Sequence, residues 1–395
     1  MAATQRRSSS RALQGTAGLL AAALSWGALA CDLETASAPM GERCDPQWLD
    51  SHLRMNDVQV IGTHNSYKLA LPPDELAAHR AIDRAGADSI DYSHRPLLEQ
   101  LDLGLCSLEI DVYHDPEGGR FLEPPGAHRN GYVQPPWTAA ELREMRRPGF
   151  KVMHLSDIDF RSSCVSLRDC LTIVRDWSRA HPRHVPIMLL INPKDGRSGP
   201  GAVQPLPFDA RAFDALDAEV GEVFDAEQLI VPDQVQGDSP TLREAVRAGR
   251  WPLLGAARGK VFFVLDDDAR KVALYRGARR SLEGRMMFIN TDEASPAAAY
   301  LTLNDPLAER ARIARAVADG YIVRTRADAD TREARSGDTR RREAALRSGA
   351  QVISTDYPQP DPRLGDYQVE FPGQRYRRCN PSRPLCERSP SKSKP

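Results

Sequence analysis

The chain has 395 residues, 41% hydrophobic and 27% charged, a globular composition with length for a sizeable core. Lys plus Arg number 53 and Asp plus Glu 54, for a net charge of -1. That balance removes a global basic excess as an argument for nucleic acid and an acidic excess as an argument for disorder. Any affinity for anions therefore has to come from a local site.

The first thirty residues read as an export signal. Arg6, Arg7 and Arg11 form a basic start, and Leu19 to Ala30 is an apolar run too short to span a bilayer. The run ends in Ala28-Leu29-Ala30, a small-x-small cleavage pattern, so 1–30 is predicted to be a signal peptide. Arg6-Arg7 also allows a twin-arginine route. Cys31 follows at once and is a candidate for lipid anchoring at a bacterial cell envelope, although Leu29 stands two residues before it rather than three. With Cys31 lipidated, Cys44, Cys106, Cys164, Cys170, Cys379 and Cys386 remain, an even set suited to disulfides in an oxidising compartment. Cys164 with Cys170 and Cys379 with Cys386 are the local pairs, which leaves Cys44 with Cys106; spacing alone does not fix the connectivity.

Residues 32–54 form a polar lead-in. Val58 to Ile61 is a β-branched strand that ends in Gly62-Thr63-His64-Asn65-Ser66-Tyr67. Leu69 to Arg95 reads as a loop with a short helix, and Pro96 to Gly104 as a helix with Pro at its start and Gly at its end. Cys106 to Tyr113 is a second strand, with Glu109 and Asp111 two apart on one face. Phe150 to His154 reads as a short strand, Leu167 to Ala180 as an amphipathic helix, and Val185 to Ile191 as a buried strand leading into Asn192-Pro193-Lys194-Asp195. Helices are expected over Phe208 to Phe224, Thr241 to Ala248, Pro306 to Asp319 and Thr339 to Ser348. Strands are expected over Val261 to Leu265, Met286 to Asn290, Tyr321 to Arg324 and Gln351 to Ser354.

About eight strands, mostly separated by helices, predict a parallel α/β fold closed as a TIM barrel in a single domain over residues 55–375. An open doubly wound sheet is the alternative, but no Gly-rich nucleotide loop follows the first strand. Residues 376–395 form a Cys-containing tail, Ser/Lys/Pro-rich and expected to be disordered from Ser389.

The strand ends carry the chemistry: His64, Asn65, Glu109, Asp111, His154, Asn192, Lys194, Arg324, Arg326 and Asp356. A barrel would gather them on one rim. Singly, each has a plain explanation, since a lone His is usually structural and an acidic pair is often a solvated face. Together they suit phosphodiester cleavage, with two histidines as acid and base and cations for the phosphorane-like transition state. Glu109, Asp111 and amide oxygens are hard ligands for calcium or magnesium, and Lys194 with an arginine could hold phosphate. Zinc fits poorly, because the histidines stand on separate strands without close ligand spacing.

The chain resembles the PLC-like phosphodiesterase superfamily, and within it the bacterial calcium-dependent phosphatidylinositol-specific phospholipase C-like family. The matching motifs are Ile61-Gly62-Thr63-His64-Asn65-Ser66-Tyr67, Leu108-Glu109-Ile110-Asp111-Val112, Val152-Met153-His154, Arg324-Thr325-Arg326-Ala327-Asp328 and Ile353-Ser354-Thr355-Asp356-Tyr357-Pro358. They run in the family's order across about residues 55–375. The resemblance implies a distorted TIM barrel that cleaves phosphatidylinositol to diacylglycerol through an inositol cyclic phosphate. It implies His64 as the base or transition-state stabiliser and His154 as the acid, with calcium, ahead of magnesium, on Asn65, Glu109 and Asp111. Lys194, Arg324, Arg326 and Asp356 are implied on the substrate side. The family has Glu where this chain has Asn192, which still offers an amide oxygen but one negative charge less, so calcium is expected to bind more weakly.

A glycerophosphodiester phosphodiesterase, a sphingomyelinase-D-like enzyme and a non-catalytic inositol- or sugar-binding barrel are the competing readings of the same residues. The expected partner is a phospholipid head group at a membrane surface. No nucleic-acid or protein partner is indicated, and a monomer is expected.

Overall fold

The computed structural model describes Leu33 and residues 45–127, 136–199, 201–373, 375–383 and 385–386. The predicted signal peptide, Cys31, Cys44 and the end of the tail lie outside the described residues.

Ten strands form one sheet: β1 (Val58–Thr63), β2 (Ser107–Asp115), β3 (Gly149–Val152), β4 (Ile187–Pro193), β5 (Val261–Leu265), β6 (Met287–Ile289), β7 (Tyr300–Thr302), β8 (Ile322–Arg326), β9 (Val352–Thr355) and β10 (Arg377–Cys379). Eight are neighbours in the order β6-β5-β4-β2-β1-β9-β8-β7, and every pairing along that path is parallel. A bridge between Asn290 and Tyr300 joins β6 to β7, so the ring nearly closes as a distorted TIM barrel. The apolar runs of β4 and β5 are buried along almost their whole length, as expected of parallel strands with helices outside and a packed interior.

The helices follow their sequence signals. Ser166 caps Leu167–Ala180 by accepting from the Asp169 amide, and Leu167, Cys170, Leu171, Val174 and Trp177 form its buried stripe. Asp209 caps Ala210–Val223 and Thr241 caps Leu242–Arg247 in the same way. Disulfides join Cys164 to Cys170 and Cys379 to Cys386.

Two strands differ from expectation. Phe150–His154, counted as a barrel strand, is instead the antiparallel ribbon β3 on the outer end of β2, pairing Val112 with Val152 and Asp115 with Gly149. The eighth barrel strand is β7, only three residues long and preceded by Ala297-Ala298-Ala299, so neither length nor β-propensity announces it. Its parallel ladder to β8 holds it in the ring.

β1 is the distorted place in the barrel. β10 runs antiparallel along Val58–Val60, and β2 pairs with β1 only at Thr63 and Leu108. The two backbones approach so closely there that a Cβ on Gly62 would lie 2.3 Å from the Ser107 carbonyl oxygen. Above this seam the loops after β1, β8 and β9 are tied together by Asp91, which accepts from Arg80 (2.7 Å), Arg335 (2.7 Å) and Arg363 (2.8 Å).

Gly62→Ala is expected to destabilise the fold by roughly 2–3 kcal/mol, the cost of overpacking against backbone that cannot rotate away. Urea unfolding of the two proteins measures this, and a difference within error would show that the seam yields freely.

Candidate active site

The site grows from the end of β1. Thr63 is the last residue of the strand, and its hydroxyl lies 2.6 Å from both Ser66 Oγ and Gln100 Oε1. Ser66 then bonds both ways to β2, its amide donating to the Glu109 carbonyl (2.9 Å) and its hydroxyl accepting from the Glu109 amide (2.8 Å). The turn needs a left-handed residue, and Asn65 supplies it at φ 48, a conformation that asparagine tolerates better than most side chains. Its amide donates to Tyr92 Oη at 2.8 Å.

His64 is held on both ring nitrogens. Nδ1 lies 2.9 Å from Asp356 Oδ1, and Nε2 lies 3.3 Å from Arg326 Nη1. A guanidinium only donates, so Nε2 is the acceptor, and the proton sits on Nδ1 against Asp356. Burial lowers the His64 pKa well below 6.5, and Arg326 lowers it further, against an opposing pull from Glu109. The ring is therefore a neutral imidazole at neutral pH, with its Nε2 lone pair at the barrel mouth. His94 supports it from behind, with Nε2 2.8 Å from the His64 carbonyl oxygen.

His154 repeats this arrangement. Its Nδ1 lies 2.8 Å from Asp159 Oδ2, and Tyr113 Oη donates to its carbonyl at 3.1 Å. Lys68, wholly buried, sits 3.2 Å from the other Asp159 oxygen. Burial alone would raise the Asp159 carboxyl, but Lys68 and His154 outweigh it and hold the pKa below the usual range. His154 is the last of the groups that lower the His64 pKa, after burial, Arg326 and Arg324.

Alternation along β2 turns Glu109 and Asp111 to the same side. Glu109 Oε2 accepts from Arg324 Nη2, and Arg324 also bonds Ser354 Oγ (2.9 Å) and Asn304 Oδ1 (2.8 Å). Asp111 is fully buried. Lys194 Nζ stands 3.0 Å from its Oδ2, an ion-pair distance, yet neither carboxylate oxygen has a hydrogen bond of good geometry. Asn192 is the register partner of Asp111 on β4, and its amide nitrogen donates to the Asp266 carbonyl at 2.8 Å. Asp356 also bonds Arg326 Nη2 (3.0 Å), and its amide donates to Asp328 (2.8 Å). Burial and the charge of Asp356 push the Asp328 pKa up, and burial raises Asp356 too, against the pull of the Arg326 guanidinium.

Of the ten residues read from the sequence, Glu109 and Asp111 lie within β2, Arg324 lies at the middle of β8, and the other seven stand at or just past the C-terminal ends of β1, β3, β4, β8 and β9. The sequence reading missed Tyr92, Asp159, Lys68 and His94, which lie in loops where no periodicity marks an inward residue. Their one signal is that each falls close in sequence to a histidine or to the β1 turn. A cavity of about 430 Å³ lies behind Asp356, lined in part by Tyr92, His94, Arg95 and Tyr357, and not by His64 or His154.

Among the described residues no three His, Cys, Asp or Glu side chains form a metal-holding cluster. The candidate donors Asn65, Glu109, Asp111 and Asn192 are carboxylates and amides, which offer the hard oxygens that calcium takes. Asp111, with two buried acceptors lacking hydrogen bonds, fits a cation of that kind.

The chain matches a family model described as phosphoinositide phospholipase C, Ca2+-dependent, over residues 53–381. No curated protein matches it. Among solved structures it is similar to the calcium-dependent phosphoinositol-specific phospholipase C of a Gram-negative Pseudomonas sp. in its apo form. The TM-score is 0.51 at 16% identity, covering 84% of this chain and 96% of that one. The myoinositol complex of the Pseudomonas enzyme gives 0.51 at 18% identity, covering 85% and 97%. At such identities the likeness speaks for the barrel alone.

Arg326→Gln removes a positive charge beside Nε2 and also the cation opposite Asp356, and both changes favour the imidazolium. The His64 pKa is therefore expected to rise towards the ordinary imidazole range. Imidazole NMR titration reads it directly, and an unchanged or lower value would remove Arg326 as a cause of the neutral ring.

Proposed function

Because the chain belongs to the Ca2+-dependent phosphoinositide phospholipase C family, we propose that it is a phosphodiesterase that cleaves phosphatidylinositol to diacylglycerol and an inositol cyclic phosphate at a membrane surface. The observation that carries the reading is the repeated histidine arrangement. His64 and His154 each rest through Nδ1 on a buried aspartate, which leaves Nε2 of each ring as the atom for proton transfer, that of His64 beside Arg326.

His64, kept neutral, takes the proton of the inositol hydroxyl next to the phosphoester. That oxygen bonds to phosphorus as the bond from phosphorus to the glycerol oxygen breaks. His154 gives a proton to the departing diacylglycerol oxygen. Arg326 lies beside the base with 12% of its side chain exposed, placed to meet the negative charge that builds on the phosphoryl oxygens. Arg324, almost wholly buried against Glu109, instead orients that carboxylate.

Asn65, Glu109, Asp111 and Asn192 would hold the calcium, which would supply Lewis-acid charge to the phosphate. Export, to the periplasm or the medium or to a lipid anchor on Cys31, is supported by the disulfides at Cys164–Cys170 and Cys379–Cys386. No helix among the described residues is long and apolar enough to cross a membrane.

Release of inositol phosphates from labelled phosphatidylinositol vesicles tests the reaction. Activity is expected with calcium, to vanish with chelator, and to fall about 10²- to 10⁴-fold in His154→Ala, the range for a lost general acid. Turnover that ignores chelator, or that survives in His154→Ala, would overturn the assignment. Asn192→Glu adds a negative charge beside Asp111 and is expected to tighten calcium several-fold by titration calorimetry. Equal affinities would remove Asn192 from the metal's surroundings.

A further inference from the structure

The carboxylates of the site are already balanced by cations of the chain itself. Glu109 faces Arg324, Asp356 faces Arg326, Asp159 faces Lys68, and Asp111 faces Lys194. Three of these cations are nearly buried, with side chains exposed by 4%, 12% and 0%. Lys194 differs. It stands just past β4, its backbone amide is fixed to the Val112 carbonyl at 2.8 Å, and 31% of its side chain meets solvent. Its ammonium approaches Asp111 at 3.0 Å without a well-aligned hydrogen bond on either carboxylate oxygen. A long flexible stem with a solvent path can leave, whereas Arg324, with bonds to Glu109, Ser354 and Asn304, cannot do so cheaply.

We propose that Lys194 is a built-in counter-cation that occupies the Asp111 end of the metal site in the metal-free enzyme, and that calcium enters by displacing it. Calcium affinity is thus set by competition with the chain's own ammonium group. Two cations cannot share Asp111 at ligand distance without strong mutual repulsion in a partly dehydrated site. Asn192, neutral where a carboxylate would have fed both, leaves Asp111 as the negative group they contest. The released ammonium then stands at the mouth, free to meet the phosphate. The inference rests on the reading of Asp111 as a calcium ligand.

Calorimetric titration of calcium into wild type, Lys194→Met, Lys194→Gln and Asp111→Asn separates the two. Both lysine variants are expected to bind calcium about tenfold or more tightly than wild type, and Asp111→Asn to bind it at least tenfold more weakly. Calcium should also increase the labelling of Lys194 in the wild type by an amine-reactive reagent, read by mass spectrometry, a measurement that needs no variant to fold. If Asp111→Asn weakens calcium but the lysine variants bind no tighter and the labelling does not rise, the competition is overturned while the metal site stands. If Asp111→Asn leaves calcium affinity unchanged, the metal lies elsewhere and both readings fall.

Discussion

A carboxylate taken out of water survives as an anion only with a cation or strong donors beside it, and this constraint governs the mouth of the barrel. Asp111, Asp159 and Asp356 are nearly inaccessible, and each is matched to a lysine or arginine that comes from a different strand or loop. Removing one member of such a pair leaves the other as an uncompensated buried charge, typically at a cost of about 3–5 kcal/mol. The pairs therefore dictate which loops must meet. Asp159 and Lys68 bring the segment after β3 to the β1 turn, and Asp356 with Arg326 locks β9 to β8. The histidines are passengers of this scaffold, each oriented by an aspartate whose own position is fixed from the other side.

The same logic explains why β1 can be the irregular strand of the barrel. β9 pairs with β1 from Val60 to Thr63, but on the opposite edge β10 covers only its first half and β2 reaches it only at Thr63, so that edge has little ladder at its C-terminal end. Ser66 and Gln100 replace the missing ladder with side-chain bonds to β2, to Thr63 and to the turn. Gly62 lets the backbones close to that distance. Polar stitching of this kind is directional, so it specifies the aim of His64 more narrowly than apolar packing would.

What the sequence disclosed follows from what each element depends on. Val185 to Ile191 and Val261 to Leu265 are apolar runs with amide or charged residues directly after them, and Val58 to Ile61 is a β-branched run that reaches His64-Asn65 after Gly62-Thr63, so both the strand and the rim position of its terminal residues were legible. Leu167–Ala180 was legible to its end residues because its cap and its stripe are both local. The direction of Phe150–Val152 was not, since propensity says nothing about which neighbour a strand finds, and only the Val112–Val152 register makes it antiparallel. Tyr300–Thr302 owes its strand to β8, and three residues carry no period of their own. Asp159 and Lys68 are decided by tertiary pairing across loops. Arg324 looked like a phosphate contact in the sequence, and its burial against Glu109 is a fact of the barrel's interior.

Charge pairing also constrains how a phosphodiester could be recognised here. A mouth in which Glu109, Asp111, Asp159 and Asp356 are each balanced offers an incoming phosphate little net field, whatever the number of arginines nearby. His64, held neutral, adds none. Attraction has to be created at the moment of binding, and a divalent cation does so with the least rearrangement. It brings two positive charges to the carboxylate side of the mouth, where Lys194 would have to give way at Asp111. On the proposed reaction, the ion pairs that let carboxylates exist at the barrel mouth also make calcium the natural source of positive charge for an anionic substrate.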